Sequence, residues 1–308
     1  MIYLVRWQQG GWELTVDLFK DQREAMDAII TNLLPSPQAQ LLSGIVLGEK
    51  KDLPTGLRLA LRDTSTLHIV VVSGQNLSMV AGFFLALSGL IKRRLAISLS
   101  FLAIIFYTLL TGADVPVVRA AIMVSLAFLA QIMGREHDGL RVLTITAALM
   151  LLINPRWLLD LSFQLSFMAT LGLVVISPIL LKFLRSLPLI GQDLAITLGA
   201  QLMVIPIIAQ NFHQLSIVGI FANLAVGWTV PIIMVLGLIT IMAGLIGTGL
   251  GQVMGFFANI FLTYFIYIVQ FFASLPFAWE YVGEKIWVVW VGYYLVLGGF
   301  LIAINRKK

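Results

Sequence analysis

Cysteine is absent from this 308-residue chain, which excludes disulfides and thiolate-held metals. Histidine is almost absent. His68, His137 and His213 are scattered, with no H-x-H or H-E-x-x-H spacing, so no zinc hydrolase centre and no other metal site is expected. No G-x-x-x-x-G-K-[ST] run provides a P-loop, and no G-x-S-x-G elbow presents a serine nucleophile. Ser73 and His68 are the only nearby nucleophile and base. Five residues apart on a helix, they project about 140° from each other, the wrong geometry for a pair. The expectation is therefore a protein that is not an enzyme and takes no cofactor. Charge is scarce as well: 11% of residues are Asp, Glu, Lys or Arg, where a soluble domain carries about 25%.

Apolar residues fill the space that charge leaves. They make up 59% of the chain, and the mean hydropathy is +0.97. They come in runs long enough to cross a hydrocarbon core of ~30 Å, which takes about 20 residues of helix. The runs are apolar on all sides, whereas barrel strands alternate over ~10 residues, so the expected fold is all-α, a polytopic transmembrane bundle. The net charge of +5 then reads as an orientation signal rather than a nucleic-acid surface.

Residues 1–37 form the one stretch of ordinary polarity. Met1 to Gly11 lacks the apolar core and small-residue cleavage site of a signal peptide. From Val16 to Leu33 the apolar positions Val16, Phe19, Met26, Ile30 and Leu33 recur at helical spacing, opposite Asp17, Lys20, Asp21, Arg23, Glu24 and Asp27. This predicts an amphipathic surface helix ended by Pro35 and Pro37. The next apolar stretch, Leu41 to Leu47, is too short to span and reads as lying in the interface or re-entering it. Nine spans are predicted after it, at about 66–91, 95–112, 115–133, 140–153, 161–184, 193–210, 215–244, 251–275 and 286–303. The fourth is short, and the seventh is long and interrupted by Gly227 and Pro231, an irregularity common where helices break around a polar path.

Lys and Arg divide unevenly between alternate loops. One set holds Lys92, Arg93, Arg94, Arg135, Arg141, Lys182, Arg185, Arg306, Lys307 and Lys308; the other holds Arg156 and Lys285. The split places the first set in the cytoplasm, the C-terminus inside and the N-terminus outside. The seven Lys/Arg of residues 1–63 oppose this orientation, and a crossing by 38–62 would give ten spans with the N-terminus inside.

Polar groups at membrane depth are few, and each is a functional candidate by default. His68, Ser73, Gly74, Gln75, Asn76 and Ser78 cluster in the first span. Gly74, Ser78, Gly82 and Ala86 lie four apart and predict a small-residue face for a close neighbour helix, while Gln75 and Asn76 suit a water-lined path. Asp114 fits an N-cap and Pro116 a first turn, which puts Arg119 about 7 Å into its helix. Arg119 either snorkels or pairs with Asp114, or faces an aqueous path ready for an anion. Asp160 fits another cap; Gln164 and Ser166 must find partners, as must Gln201, Asn223 and Thr229, beside Pro206 and Pro231.

In order, these elements resemble the ComEC competence family of DNA channels. Leu41-Leu42-Ser43-Gly44-Ile45-Val46-Leu47-Gly48 is similar to that family's L-L-x-G-I-x-L-G. Leu67 to Asn76 resembles L-H-h-h-x-h-S-G-h-H, and Gly112 to Met123 resembles G-x-x-P-S-x-x-R-A-x-h-M. Asn154-Pro155, Asp160 and Phe163-Gln164-Leu165-Ser166-Phe167 match N-P-x-x-l-x-D-x-x-F-Q-L-S-F. The likeness covers roughly residues 35–240, with Asn76 standing where the family has a second histidine and Gln75 where it has an apolar residue.

The resemblance implies that 38–308 is a ComEC-type membrane domain that passes single-stranded DNA across a prokaryotic inner membrane during transformation. It implies an external DNA receptor and a cytoplasmic ATP-driven translocase as partners, and it allows a homo-oligomer. The family's OB-like and nuclease domains do not fit in this chain, so a nuclease would be a separate polypeptide. Path candidates are Arg119, His68, Ser73, Gly74, Gln75, Asn76, Gln164, Ser166 and Asn223, with Phe163, Phe167, Phe221 and Trp228 as candidate base stackers. The alternatives are a small-solute or ion transporter, and a non-conducting remnant or assembly subunit.

Overall fold

A computed structural model describes residues 6–8, 11–13, 19–49, 53–70, 74–132, 138–187, 190–283 and 287–306. Helices dominate. In chain order the elements are β1 (Arg6–Gln8), β2 (Gly11–Glu13), α1 (Lys20–Leu33), α2 (Gln38–Leu47), α3 (Thr55–Asp63), α4 (Gly74–Ala86), α5 (Arg93–Leu110), α6 (Val115–Ile132) and α7 (Gly139–Ile153). They continue as α8 (Leu161–Val175), α9 (Ser177–Phe183), α10 (Gly191–Phe212), β3 (Gln214–Ser216), α11 (Gly219–Gly227), α12 (Thr229–Ile246), α13 (Thr248–Ala273), β4 (Trp279–Tyr281) and α14 (Trp287–Arg306).

Every predicted span holds a helix. Among the described residues five are long and apolar enough to cross a membrane by length and composition: Leu67–Ala86 (a run that includes residues outside the described set), Arg93–Leu110, Gly191–Phe212, Thr229–Ile246 and Thr248–Ala273. A sixth is added if α8 and α9, bent by 43°, count together. Pro178 explains the bend, since it lacks an N–H and its ring crowds the carbonyl four residues back. The apolar cores of α6, α7 and α14 are shorter. The predicted seventh span breaks at Trp228 into α11 and α12, beside the anticipated Gly227, while Pro231 sits harmlessly in the first turn of α12. Asp160 caps α8, its carboxylate accepting from Phe163 N at 2.9 Å.

The segment 38–47 lies inside the protein rather than at its surface. In α2, Leu41, Leu42, Ile45, Val46 and Leu47 are almost completely buried. α1 and α2 form an antiparallel hairpin wedged against α12 and α13. Arg23 pairs with Glu49 at 2.7 Å, the Ser43 hydroxyl donates to Asp27, and Gln38 donates to Thr263 at 3.0 Å. Glycines make room for it. A Cβ added at Gly237 would meet Leu42 at 2.5 Å, at Gly244 Ile29 at 2.6 Å, and at Gly251 Leu33 at 2.8 Å. Gly48, with φ +79°, closes α2 in the left-handed conformation that suits glycine.

The hairpin enters and leaves at one end of the bundle. There Arg23 also donates to the Leu110 carbonyl at the end of α5, at 3.1 Å, and Tyr107 donates to the Val46 carbonyl at 2.9 Å. Two short antiparallel ribbons were not apparent from the sequence. β1 pairs with β2, and β3 with β4, the second tying the α10–α11 turn to the α13–α14 connection. α14 is fastened to α10 by its aromatic tips: Trp290 donates to Gln210, Tyr293 to the Leu202 carbonyl and Tyr294 to the Met203 carbonyl, all at 2.8–2.9 Å.

Candidate functional site

Arg119 stands where α4, α6 and α8 meet. Its Nη1 donates to the Ser166 carbonyl at 2.8 Å and to the Thr170 hydroxyl, which itself donates to the Ser166 carbonyl at 2.9 Å. A Cβ added at Gly74 would lie 3.3 Å from Ala120 Cβ and 3.6 Å from Arg119 Nη2, so the glycine lets α4 lie close to α6 at this point. The guanidinium is thus held inside the bundle rather than snorkelling outward. Arg119 Nε is buried and has no hydrogen-bond partner among the described residues.

On α8, Phe163, Ser166, Phe167 and Thr170 share one face by their spacing at about 100° per residue. Phe163 and Phe167 pack on each other, with ring centroids 4.2 Å apart and planes inclined by 31°, and Phe163 is buried. Gln164 lies off this face and donates to the Leu158 carbonyl at 3.0 Å.

The first-span cluster divides. Gln75, Ser78 and Gly82 form an exposed strip along α4. The small-residue face predicted there meets a neighbour only at Gly74; a Cβ at Gly82 would find nothing within 4 Å. Asn76 points away from this strip. It is fully buried and donates to the Ile45 carbonyl at 2.9 Å, at the end of α2. Asn76 therefore secures the α1–α2 hairpin. His68 is exposed, with Nδ1 2.9 Å from the Ser65 carbonyl. Ser73 lies outside the described residues.

The remaining candidates lie elsewhere. Asn223 donates to the Gly219 carbonyl of its own helix at 2.7 Å. Phe221 and Trp228 are exposed, and Trp228 packs beside Phe261 and Tyr264. Two interior polar groups escaped the sequence reading. Thr170 was detectable as the residue one helical turn beyond Ser166, on the same face. Tyr107 was detectable as a phenol in an apolar span, whose hydroxyl must find a partner.

Long apolar helices, a hairpin buried among them and an arginine fixed at their junction define a polytopic α-helical membrane protein. Residues 45–307 match the Competence protein family, and the chain belongs to that family. Its relatives include ComE operon protein 3 of Bacillus subtilis (strain 168), 28% identical over 204 residues, which are 66% of this chain and 26% of that protein. An uncharacterized protein, YcaI, of Escherichia coli (strain K12) is 25% identical over 217 residues, 63% of this chain and 28% of that protein. An uncharacterized protein of Aquifex aeolicus (strain VF5) is 34% identical over 128 residues, 41% of this chain and 30% of that protein. The matches thus span between 26% and 30% of these curated relatives. No solved structure matches the chain.

Proposed function

We propose that this chain lines a path by which single-stranded DNA crosses the cell membrane into the cytoplasm. Arg119 carries the reading: a guanidinium held between α6 and α8 and against Gly74 of α4, the helix along which the exposed Gln75–Ser78–Gly82 strip runs. The surrounding elements form a closed circuit of neighbours, α4 against α6, α6 against α8, α8 against α10, α10 against α11, α11 against α12, and α12 back against α4. A cation beside small and polar side chains suits a phosphodiester backbone, which needs charge compensation and room rather than sequence readout.

Moving each phosphate inward against an inside-negative potential costs about 2.3 kcal/mol per 100 mV. Lacking a P-loop, the chain depends on an ATP-driven translocase in the cytoplasm and on an external receptor that delivers the strand. Deleting the gene should abolish acquisition of a chromosomal marker and entry of labelled DNA; uptake at the parental level would sink the channel reading.

The orientation in this reading is N-terminus out and C-terminus in, with nine crossings, in which the bent α8–α9 pair and the shorter α6, α7 and α14 cross as well. The mouth of the α1–α2 hairpin and the segment after α3 then lie outside, while the tip of the hairpin, at Leu33, reaches toward the α12–α13 turn. Arg23 reaches the α5–α6 turn, and a Cβ at Gly219, at the start of α11, would lie 3.0 Å from Ser65. The cysteine-free background makes the test direct. In intact cells a membrane-impermeant maleimide should label Glu280→Cys and leave Ser186→Cys unlabelled until the membrane is opened. The reverse pattern would invert the topology.

A further inference from the structure

We infer that Thr170 is a positioning residue, which turns the Arg119 guanidinium so that its Nε–Nη2 edge is left for an oxyanion. The inference rests on the DNA-path reading and names the group that arms its cation. An arginine engages a carboxylate or phosphate best through two parallel N–H donors, and the Nε–Nη2 edge is one such fork. Here the protein holds the guanidinium by the other corner. Nη1 takes the Ser166 carbonyl and the Thr170 hydroxyl, both from one turn of α8. Thr170 closes the triangle by donating to the same carbonyl at 2.9 Å, so its hydroxyl proton is committed and its lone pair is turned toward the arginine.

What the anchor leaves over is specific. Nε is shielded and makes no hydrogen bond to any described residue. Nη2 faces Gly74, where a side chain would begin to fill the space beside it, its Cβ 3.6 Å away. No Asp or Glu is paired with Arg119 among the described residues, so no internal carboxylate competes for the edge. The chemical class such an edge takes is a phosphodiester or another tetrahedral oxyanion. Because the strand carries one phosphate per nucleotide, each would meet the same fork in turn and be released to the next.

The test uses the full chain in a transformable host, with four variants at equal membrane levels: Arg119→Ala, Thr170→Val, Thr170→Ser and the double variant Arg119→Ala/Thr170→Val. Thr170→Val keeps the shape and removes the hydroxyl, and should lower transformation about tenfold, the scale of one hydrogen bond to a charged group. Thr170→Ser keeps the hydroxyl and should restore frequency to within about threefold of the parent. If Thr170 acts through the arginine, the double variant should be no worse than Arg119→Ala alone. Two results overturn the inference while leaving the DNA path standing: Thr170→Val at parental frequency while Arg119→Ala is impaired, or additive losses in the double variant. Parental frequency in Arg119→Ala itself would instead remove the path through this junction, and the inference with it. In thermal unfolding of the purified variants, a fall in Tm that Thr170→Val and Thr170→Ser share equally would mark a packing role and also overturn it.

Discussion

Arg119→Ala is expected to lower transformation by roughly 30- to 150-fold at an unchanged level of protein in the membrane. The magnitude follows from what the truncation removes. Losing one partner of a desolvated, hydrogen-bonded charge contact costs about 2–5 kcal/mol. In the proposed path the low end applies, because a phosphate in transit would keep part of its hydration. A barrier raised by about 2–3 kcal/mol slows passage by roughly that factor. Arg119→Lys should fall between the two, since it retains charge but not the planar fork. The measurement is marker transformation with the membrane fraction blotted for the protein. Parental frequency at parental abundance would remove Arg119 from the path.

The second large effect concerns the scaffold behind the site. Gly172→Val should lower the Tm of the purified protein by roughly 5–10 °C. At Gly172 an added Cβ would lie 2.1 Å from the Gly199 carbonyl oxygen and 2.7 Å from its carbon, so α8 and α10 touch backbone to backbone. No rotamer relieves such a clash; the helices must separate. The reciprocal position is as tight, with a Cβ at Gly199 2.4 Å from Ser177 Oγ, whose hydroxyl is already committed to the Ala195 carbonyl at 2.9 Å. Overpacking of this kind costs about 1–3 kcal/mol and more where backbone is the obstacle. Gly82→Ala is the matched control: nothing lies within 4 Å of its added Cβ, and alanine is the better helix former by up to about 1 kcal/mol. A Gly172→Val protein melting with the parent would disprove the close approach of α8 and α10. α8 carries Ser166 and Thr170, so this variant should also lose transformation by displacing the arginine's anchor.

Helices were legible in the sequence because apolar runs and caps are local signals. Asp160, Pro116 and Gly227 each marked a terminus or break where the structure has one. The count of crossings was less legible. Residues 139–153 are mostly apolar, but at ~1.5 Å per residue they extend only about 22 Å. Whether such a helix crosses is decided by its neighbours rather than by its own composition. The polar residues show the same limit. Gln75 and Asn76 are adjacent and look alike in sequence. One lies on an exposed strip and the other is buried against the end of α2, a contact 31 residues away that no local pattern encodes. The small-residue stripe on α4 was a sound packing signal, which the fold uses at Gly74 and leaves open at Gly82.

The α1–α2 wedge has a consequence for biogenesis. The residues that receive it, Gly237, Gly244 and Gly251, are synthesised about 200 residues after Leu33, so its seat does not exist when the hairpin emerges. At roughly 5–20 residues per second the hairpin waits on the order of 10–40 s for α12 and α13. Until then its apolar face, including Ile30, Leu41, Leu42 and Ile45, lacks the α12–α13 surface that completes its burial. Closure of this long-range contact is therefore a late, post-insertion event, and ribosome-bound chains that stop short of α13 should leave the hairpin open to protease.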